Sequence, residues 1–197
     1  MMRALAVRTM GCIRVERITE YLCESLKDSL TDDDSYVKKT AALAVAKLYQ
    51  TSPRLVKDHS LIKILQGMLL DGNAVVVSNA VAALLEISRA SGKNYIRLKN
   101  NNNLNKLLAA LNDSNEWGKI YILEGITTYE SEDVKESESI IERVIPMLTH
   151  NNPAVIMSAV KTILKFMENL TNEEILKGVI KKLGAPLVTL LSSEAEI

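Results

Sequence analysis

Apolar residues recur at helical spacing along the chain, and three stretches share one register. These stretches are YVKKTAALAVAKL from Tyr36, VVVSNAVAALLEI from Val75 and AVIMSAVKTILKF from Ala154. Apolar positions at i, i+4, i+8 and i+11 lie on one stripe of an α-helix. Four positions of each stretch form this stripe: Val37, Ala41, Val45 and Leu48; Val76, Ala80, Leu84 and Ile87; Val155, Ala159, Ile163 and Phe166. The shared register predicts three equivalent helices of an internal repeat.

Alanine occupies the second stripe position of each helix, where a small side chain lets a neighbouring helix approach closely. The chain start follows the same register with Met2, Ala6, Met10 and Ile13, which predicts a fourth equivalent helix. These positions define the predicted structural core: Ala6, Ala41, Ala80, Ala159, Val37, Val76 and Val155.

The stretch NEWGKIYILEGI from Asn115 departs from this register, which would place Glu124 and Gly125 on the buried stripe. Its helix is therefore either shifted by an insertion or packed differently. Trp117 and Gly118 open it. We expect Trp117 to belong to the core and to fill space that a smaller residue takes in the other repeats.

A second set of apolar stretches precedes the first. Their predicted bounds are Arg17 to Leu30, Leu61 to Leu70, Leu104 to Leu111, Ser139 to Leu148, and Glu173 to Leu191. Pro146 and Pro186 stand at equivalent places in two of these leading helices, and an interior proline kinks a helix. Paired helices repeating about every 40 residues are typical of HEAT and armadillo repeats. We therefore predict an all-α fold, an α-solenoid of helix pairs.

Helix starts are marked by residues that cap an amino terminus. Asp34, Asn73 and Asn152 precede the three registered helices, and Pro153 occupies the first helical position after Asn152. Thr171 and Glu174 have the spacing of a capping box before the last leading helix.

Residues 1–197 are expected to form a single solenoid segment of about four to five repeats. Met1 to Ile13 is predicted to form the second helix of a pair whose first helix is absent from the sequence. Ile197 falls where the second helix of the last pair is expected to begin. Solenoid ends usually carry polar capping repeats, and neither end has that character. The segment is therefore expected to be truncated at both ends.

The amino-acid composition excludes several fold and function classes. Few turn formers, with eight Gly and four Pro in 197 residues, argue against a β-sandwich or barrel. The 24 basic residues balance the 24 acidic ones, so no net electrostatic attraction to nucleic acid or an anionic membrane surface is expected. The uncharged run from Gly72 to Leu85 is shorter than the ~18 residues that span a bilayer.

Catalytic and metal-binding motifs are absent from the sequence. It contains no dinucleotide, phosphate-loop, serine-hydrolase or HExxH motif. His59 and His150 lie far apart, and Cys12 and Cys23 are expected on different helices, where they act as small apolar residues. We therefore predict no enzyme activity, no cofactor and no metal.

Two connectors have unusual composition. The run Asn100 to Asn103 is expected to be a mobile loop, with a contact surface as the alternative. The stretch from Tyr129 to Ser139 holds five acidic residues and is expected to be a solvated loop, with a basic partner or a cation as the alternative.

Nearly the whole chain resembles the amino-terminal trunk of the large β-subunit of clathrin adaptor complexes, β-adaptin. The similar segments occur in the family's order: RALAVRTMGCIRV from Arg3, ITEYL from Ile18, YVKKTAA from Tyr36, NAVAALLEI from Asn79, NKLLAAL from Asn105, EWGKIYIL from Glu116, AVIMSAVK from Ala154, KFMENL from Lys165 and KKLGAPLVTLLSSEAEI from Lys181.

This resemblance implies a scaffold in a membrane coat. The family's trunk pairs with a second large subunit, a medium subunit and a small subunit in a heterotetramer that acts in vesicle-mediated protein transport. It implies a cytoplasmic protein, peripheral on coated vesicles, the trans-Golgi network or plasma membrane coated pits. Clathrin contacts belong to the family's hinge, outside this chain.

Two other solenoid classes remain open as alternatives: a coatomer-type coat subunit and an importin-like cargo-binding protein. The run from Arg3 to Val15 favours the clathrin adaptor over coatomer. An importin-like protein is expected to carry regularly spaced Trp and Asn on a concave face, whereas this chain has one Trp.

Overall fold

The computed structural model describes residues 2–98, 101–131 and 133–192, and α-helices make up most of these ranges. The helices are α1 Met2–Met10, α2 Glu16–Leu30, α3 Ser35–Thr51, α4 Pro53–Asp58, α5 Leu61–Gly67, α6 Ala74–Ser91, α7 Asn101–Asp113, α8 Glu116–Thr127, α9 Val134–Val144, α10 Pro153–Met167 and α11 Glu173–Ser192. Short 3-10 helices extend α5 and α9 over Met68–Leu70 and Ile145–Thr149. No strand occurs in the described ranges. The prediction of an all-α solenoid is confirmed.

The chain forms two compact units, Met1–Gly125 and Ile126–Ile197. The boundary falls inside α8, which is one continuous helix.

The first unit is built from two layers of helices. α3 packs beside α1 on one side and beside α6 on the other, and α8 follows α6. The second layer covers this row, with α2 against α3 and with α5 and α7 against α6. The two helices of each pair therefore lie in different layers, and the apolar core lies between the two layers.

The registered stripes of α3 and α6 lie at the centre of this core. Val37, Ala41, Val76 and Ala80 are at most 1% exposed. α6, with 18 residues, is long and apolar enough to cross a membrane by length and composition alone. Ten of its side chains are nevertheless buried within the first unit, so it is the central helix of a folded core.

The expected register is wrong in α1. Ala6 is exposed, whereas Ala4 and Val7 are buried. The cause is the close approach of α3, because a Cβ placed on Gly11 would lie 3.0 Å from the Cβ of Ala44. Residues 4, 7 and 11 form the packed face, and Ala6 points away from it.

The expected core position of Trp117 is also wrong, since this side chain is 70% exposed. α8 packs on α6 through two glycines. A Cβ on Gly118 would lie 3.1 Å from the Cβ of Ser78, and one on Gly125 would lie 2.7 Å from Cγ1 of Val81. These glycines are two helical turns apart on one face. So close a crossing leaves no room for an indole, and the adjacent Trp117 is directed outward.

The second unit has α10 at its centre, packed against α9 and the 3-10 helix that follows it. Val155, Ala159 and Phe166 of α10 are at most 1% exposed. At Pro146 the α-helical hydrogen-bond pattern gives way to the 3-10 helix, as expected for a proline. Pro186, by contrast, lies inside the continuous helix α11.

Three helices begin with the same short turn, here called the cap turn. Asp34, Asn73 and Asn152 each accept a hydrogen bond from the backbone N–H two residues later, which confirms the predicted caps. Each cap residue also donates its own N–H to the side chain two residues earlier. Those acceptors are Asp32, Asp71 and Nδ1 of His150.

Two other local predictions need correction. The cap of α11 is Asn172, whose Oδ1 accepts from the Glu174 N–H at 2.9 Å, so the capping box at Thr171 is wrong. The acidic stretch is only partly a loop, because Asp133 caps α9 and helix begins at Val134. Glu136 there accepts hydrogen bonds from the Tyr129 and Ser131 hydroxyls. Glu132 and Asn100 lie outside the described residues, and 101–103 belong to α7.

Candidate protein interaction surface

A groove of about 620 Å³ runs along the outward face of α3 in the first unit, within the usual range of ligand sites. Its floor is the stripe of α3 opposite the core. Its walls come from α1 and the residues after it, from α6, and from Tyr121 of α8. The α3 residues that line it are Tyr36, Lys39, Thr40, Leu43, Ala44, Ala46, Lys47, Gln50 and Thr51. We call this surface the α3 groove.

Positive charge dominates the α3 groove. Arg8, Arg14, Lys39 and Lys47 line it together with a single carboxylate, that of Glu86. None of the four cations forms an ion pair among the described residues. Four positive charges and one negative charge give the groove a formal charge of +3, whereas the net charge of the whole chain is zero.

Glu86 is held by groups at the edge of the groove. Gln50 Nε2 donates to Glu86 Oε1 at 3.3 Å, and Arg89 approaches Oε2 at 4.0 Å. Arg89 also pairs with Glu124 of α8. These contacts fix the position of the one carboxylate that lines the groove.

Half-exposed apolar side chains lie among these cations. Tyr36 is 51% and Leu43 42% exposed, and the ammonium of Lys39 lies 4.2 Å from the centre of the Tyr36 ring. Tyr121 borders the groove, and Trp117 lies one turn earlier on the same side of α8. The surface thus combines cations with aromatic and aliphatic contacts, as protein interfaces do.

The core residues predicted from the sequence lie behind this surface and do not line it. Val37, Ala41, Val76 and Ala80 are buried between the layers. Sequence reasoning missed the groove because it followed only the buried stripe. A signal existed on the other face of α3, where Lys39, Leu43 and Lys47 follow one another at four-residue spacing.

A network of ion pairs on a different part of the unit shifts the pKa of two aspartates. For Asp71, burial alone would raise the pKa, but hydrogen bonds from Lys38 Nζ at 2.7 Å and from the Asn73 N–H outweigh it and lower the pKa. The pKa of Asp32 is lowered chiefly by the Asp34 N–H, with Arg3 adding to the effect. Arg3 and Lys38 thus link successive helices of the first layer to the next cap turn.

Other reactive residues form no recognisable centre. No group of three or more His, Cys, Asp or Glu side chains with metal-binding geometry occurs in the described ranges. His59 Nδ1 lies 3.3 Å from Glu24 Oε1 in a shallow surface depression. Cys12 is exposed and lines the α3 groove, whereas Cys23 is buried and desolvation raises its thiol pKa.

Comparison with known proteins gives one matching family and several similar adaptor subunits. The family of non-SMC mitotic condensation complex subunit 1, Cnd1, matches residues 1–165. The AP-1 complex subunit beta of Dictyostelium discoideum is 51% identical over 197 residues, which are all of this chain and 21% of that protein. The AP-1 complex subunit beta-1 of Homo sapiens is 50% identical over 198 residues, again covering all of this chain and 21% of the relative.

A solved structure of an engineered protein shares the fold, with a TM-score of 0.60 at 19% identity over 97% of this chain and 83% of that one. The chain spans about a fifth of the length of the AP-1 relatives it matches. The resemblance to the β-adaptin trunk is confirmed by these relatives.

Proposed function

Because the chain belongs to the Cnd1 family of HEAT-like helical repeats, we propose that it acts as a scaffold through protein contacts, as a segment of a clathrin-associated adaptor coat subunit. Its process is vesicle-mediated intracellular protein transport. The observation that carries this proposal is the 51% identity to an AP-1 β-subunit over the full chain.

The family name and the relatives' names point to different assemblies, and the extent of similarity decides between them. A repeat family groups proteins that share helix pairs and stack them in the same way, whatever those stacks hold. Identity near 50% over all of this chain also covers surface positions, where packing does not dictate the residue. We therefore infer the adaptor rather than the condensation complex.

The partners follow from this proposal. We infer a heterotetramer with a second large, a medium and a small subunit, and a cytoplasmic protein held at coated vesicles, Golgi membranes or coated pits through that complex. We infer no catalytic role, no cofactor and no nucleic acid. Clathrin contacts are assigned to hinge regions outside this chain.

The domain organisation is part of the proposal. We infer that residues 1–197 form a single solenoid segment of about four to five repeats. Paired helices occur within each unit taken by itself, which supports this view. Val37, Ala41, Val76, Ala80, Val155 and Ala159 are the packing positions of that segment.

Affinity purification of the intact protein that carries this chain, followed by mass spectrometry, tests the proposal. The expected result is recovery of a medium, a small and a second large adaptor subunit in equimolar amounts. Recovery of coatomer subunits, of nuclear import cargo or of condensation-complex subunits in their place would overturn it.

A further inference from the structure

The α3 groove differs from the ion-paired parts of the first unit, where Arg3, Lys27, Lys38, Arg54 and Arg89 each lie within 4.0 Å of a carboxylate. Arg8, Arg14, Lys39 and Lys47 converge on one concavity without such a partner. Like charges brought together raise one another's electrostatic energy, so a bound anionic group would stabilise this arrangement.

The α3 groove has the dimensions of an extended peptide. Its lining residues on α3 run from Tyr36 to Thr51, which is about 22 Å at the helical rise. An extended chain of about seven residues covers that length.

The spacing of side chains along α3 matches the same ligand. Lys39, Leu43 and Lys47 are four residues apart, or about 6 Å along the helix axis. Alternate residues of an extended strand that point to one side are about 6.6 Å apart. An acidic residue, an apolar residue and a second acidic residue at alternate positions would therefore meet Lys39, Leu43 and Lys47 in turn.

We propose that the α3 groove binds an extended acidic peptide segment of a partner protein, with acidic and apolar residues at alternate positions. The segment lies along α3 with its carboxylates on Lys39 and Lys47 and an apolar side chain on Leu43. Arg8 and Arg14 neutralise further acidic residues from the α1 wall. The side-chain amides of Gln50 and Asn79 border the path of the peptide backbone. This inference does not depend on membership of an adaptor complex.

A membrane and a nucleic acid are less suitable occupants. The cations line the inside of a concavity, so a planar bilayer would meet its rim and leave the floor cations uncompensated. Leu43 and Tyr36 in the floor offer apolar contact that a phosphate backbone does not use. Both alternatives enter the test as competitors.

The test is fluorescence polarisation with the full chain and a labelled peptide of about ten residues, in which glutamates alternate with serine around a central leucine. The variant Lys39→Glu with Lys47→Glu reverses the floor charges. The matched control is Lys181→Glu with Lys182→Glu, two exposed lysines of α11. We expect about tenfold or greater loss of affinity for the groove variant and a change within about twofold for the control.

Additional controls distinguish specific binding in the groove from unfolding and from non-specific charge attraction. Circular dichroism checks the fold, and the milder Lys39→Gln with Lys47→Gln must show an intermediate loss. Replacing the central leucine of the peptide by serine must also weaken binding. Equal loss in the groove and control variants, or no effect of the leucine, would overturn the proposal in favour of non-specific charge attraction.

Competition identifies the class of ligand. Vesicles of phosphatidylserine and phosphatidylcholine in equal parts, or a DNA duplex, are added to the peptide complex. The affinity of each competitor for the groove variant is measured as well. If a competitor displaces the peptide and its affinity falls as much as that of the peptide, the groove is a lipid or nucleic acid site. The peptide proposal then fails. Subunit recovery in the purification described above is scored separately, so failure of one proposal leaves the other measurable.

Discussion

α6 and α11 have similar lengths and apolar content but opposite environments. α6 has 18 residues and ten buried side chains, whereas α11 has 20 residues and two buried side chains, Val179 and Leu183. Large apolar side chains of α11 remain exposed, and Leu191 is 88% exposed. α6 is enclosed by α3, α5, α7 and α8, while α11 contacts α10 and the 3-10 helix before it. An apolar stripe on a helix is therefore buried only to the extent that neighbouring helices pack against it.

The largest expected contrast is between Leu84→Ala in α6 and Leu187→Ala in α11. Leu84 is fully buried, so its truncation is expected to cost about 2–5 kcal/mol of unfolding free energy. Leu187 is 38% exposed, and we expect a loss below about 1 kcal/mol there. Urea denaturation followed by circular dichroism measures both. Equal losses would show that α11 is as firmly packed as α6.

Added volume gives the next contrast. Ala80→Leu places three more carbons at a fully buried site and is expected to destabilise the chain by about 1–3 kcal/mol. The matched variant Ala185→Leu lies on the exposed side of α11 and is expected to change stability by less than about 0.5 kcal/mol. If Ala80→Leu is neutral in urea melts, Ala80 does not lie at a close helix crossing.

Replacing glycine by alanine should stabilise the fold in α11 and destabilise it in α8. At Gly184 of α11 no atom lies within 4 Å of the added Cβ, so Gly184→Ala should stabilise by about 0.5–1 kcal/mol through helix propensity. At Gly125 the new methyl would lie 2.7 Å from Val81 Cγ1, and overpacking should outweigh propensity by about 1 kcal/mol. Thermal melts of the two variants must therefore move in opposite directions. A stabilised Gly125→Ala variant would contradict the α6–α8 crossing.

The smallest expected effect concerns acid. The lowered pKa of Asp71 means that its contacts with Lys38 and Asn73 stabilise the fold at neutral pH. Their contribution is lost as the pH falls through the folded-state pKa, below about pH 4. Asp71→Asn should cost about 1 kcal/mol at pH 7, and this cost should shrink steadily as the pH falls below about 4. The cap of α11 has Leu170 in the equivalent place, so Leu170→Asn should show no such pH dependence.

Local chemistry was predictable from the sequence where the relevant partner is a few residues away. Asp34, Asn73 and Asn152 bond to backbone two residues ahead, and no distant contact is needed to place them. The buried stripes of α3 and α6 were also predictable, because each is flanked on both sides by helices of the same layer. Their spacing is then imposed by two neighbours at once.

Positions set by a single crossing were not predictable. The face of α1 is determined by Gly11 against Ala44, and that of α8 by Gly118 and Gly125 against α6. Which small residue meets which helix depends on tertiary geometry, so Ala6 and Trp117 were misplaced. The α3 groove escaped prediction for a similar reason, since Arg8 and Lys47 converge only when α1 lies beside α3.

The cap turn has a consequence for how such chains change length. Its backbone hydrogen bonds lie within five consecutive residues, as in Asp71 to Val75, so the turn between one helix and the next is encoded in one short segment of the gene. Unequal recombination that duplicates or deletes a helix pair carries the complete joint with it. Chains built this way can gain or lose repeats with the turn itself intact, and only the cation that pairs with its first aspartate, as Lys38 pairs with Asp71, comes from an earlier helix.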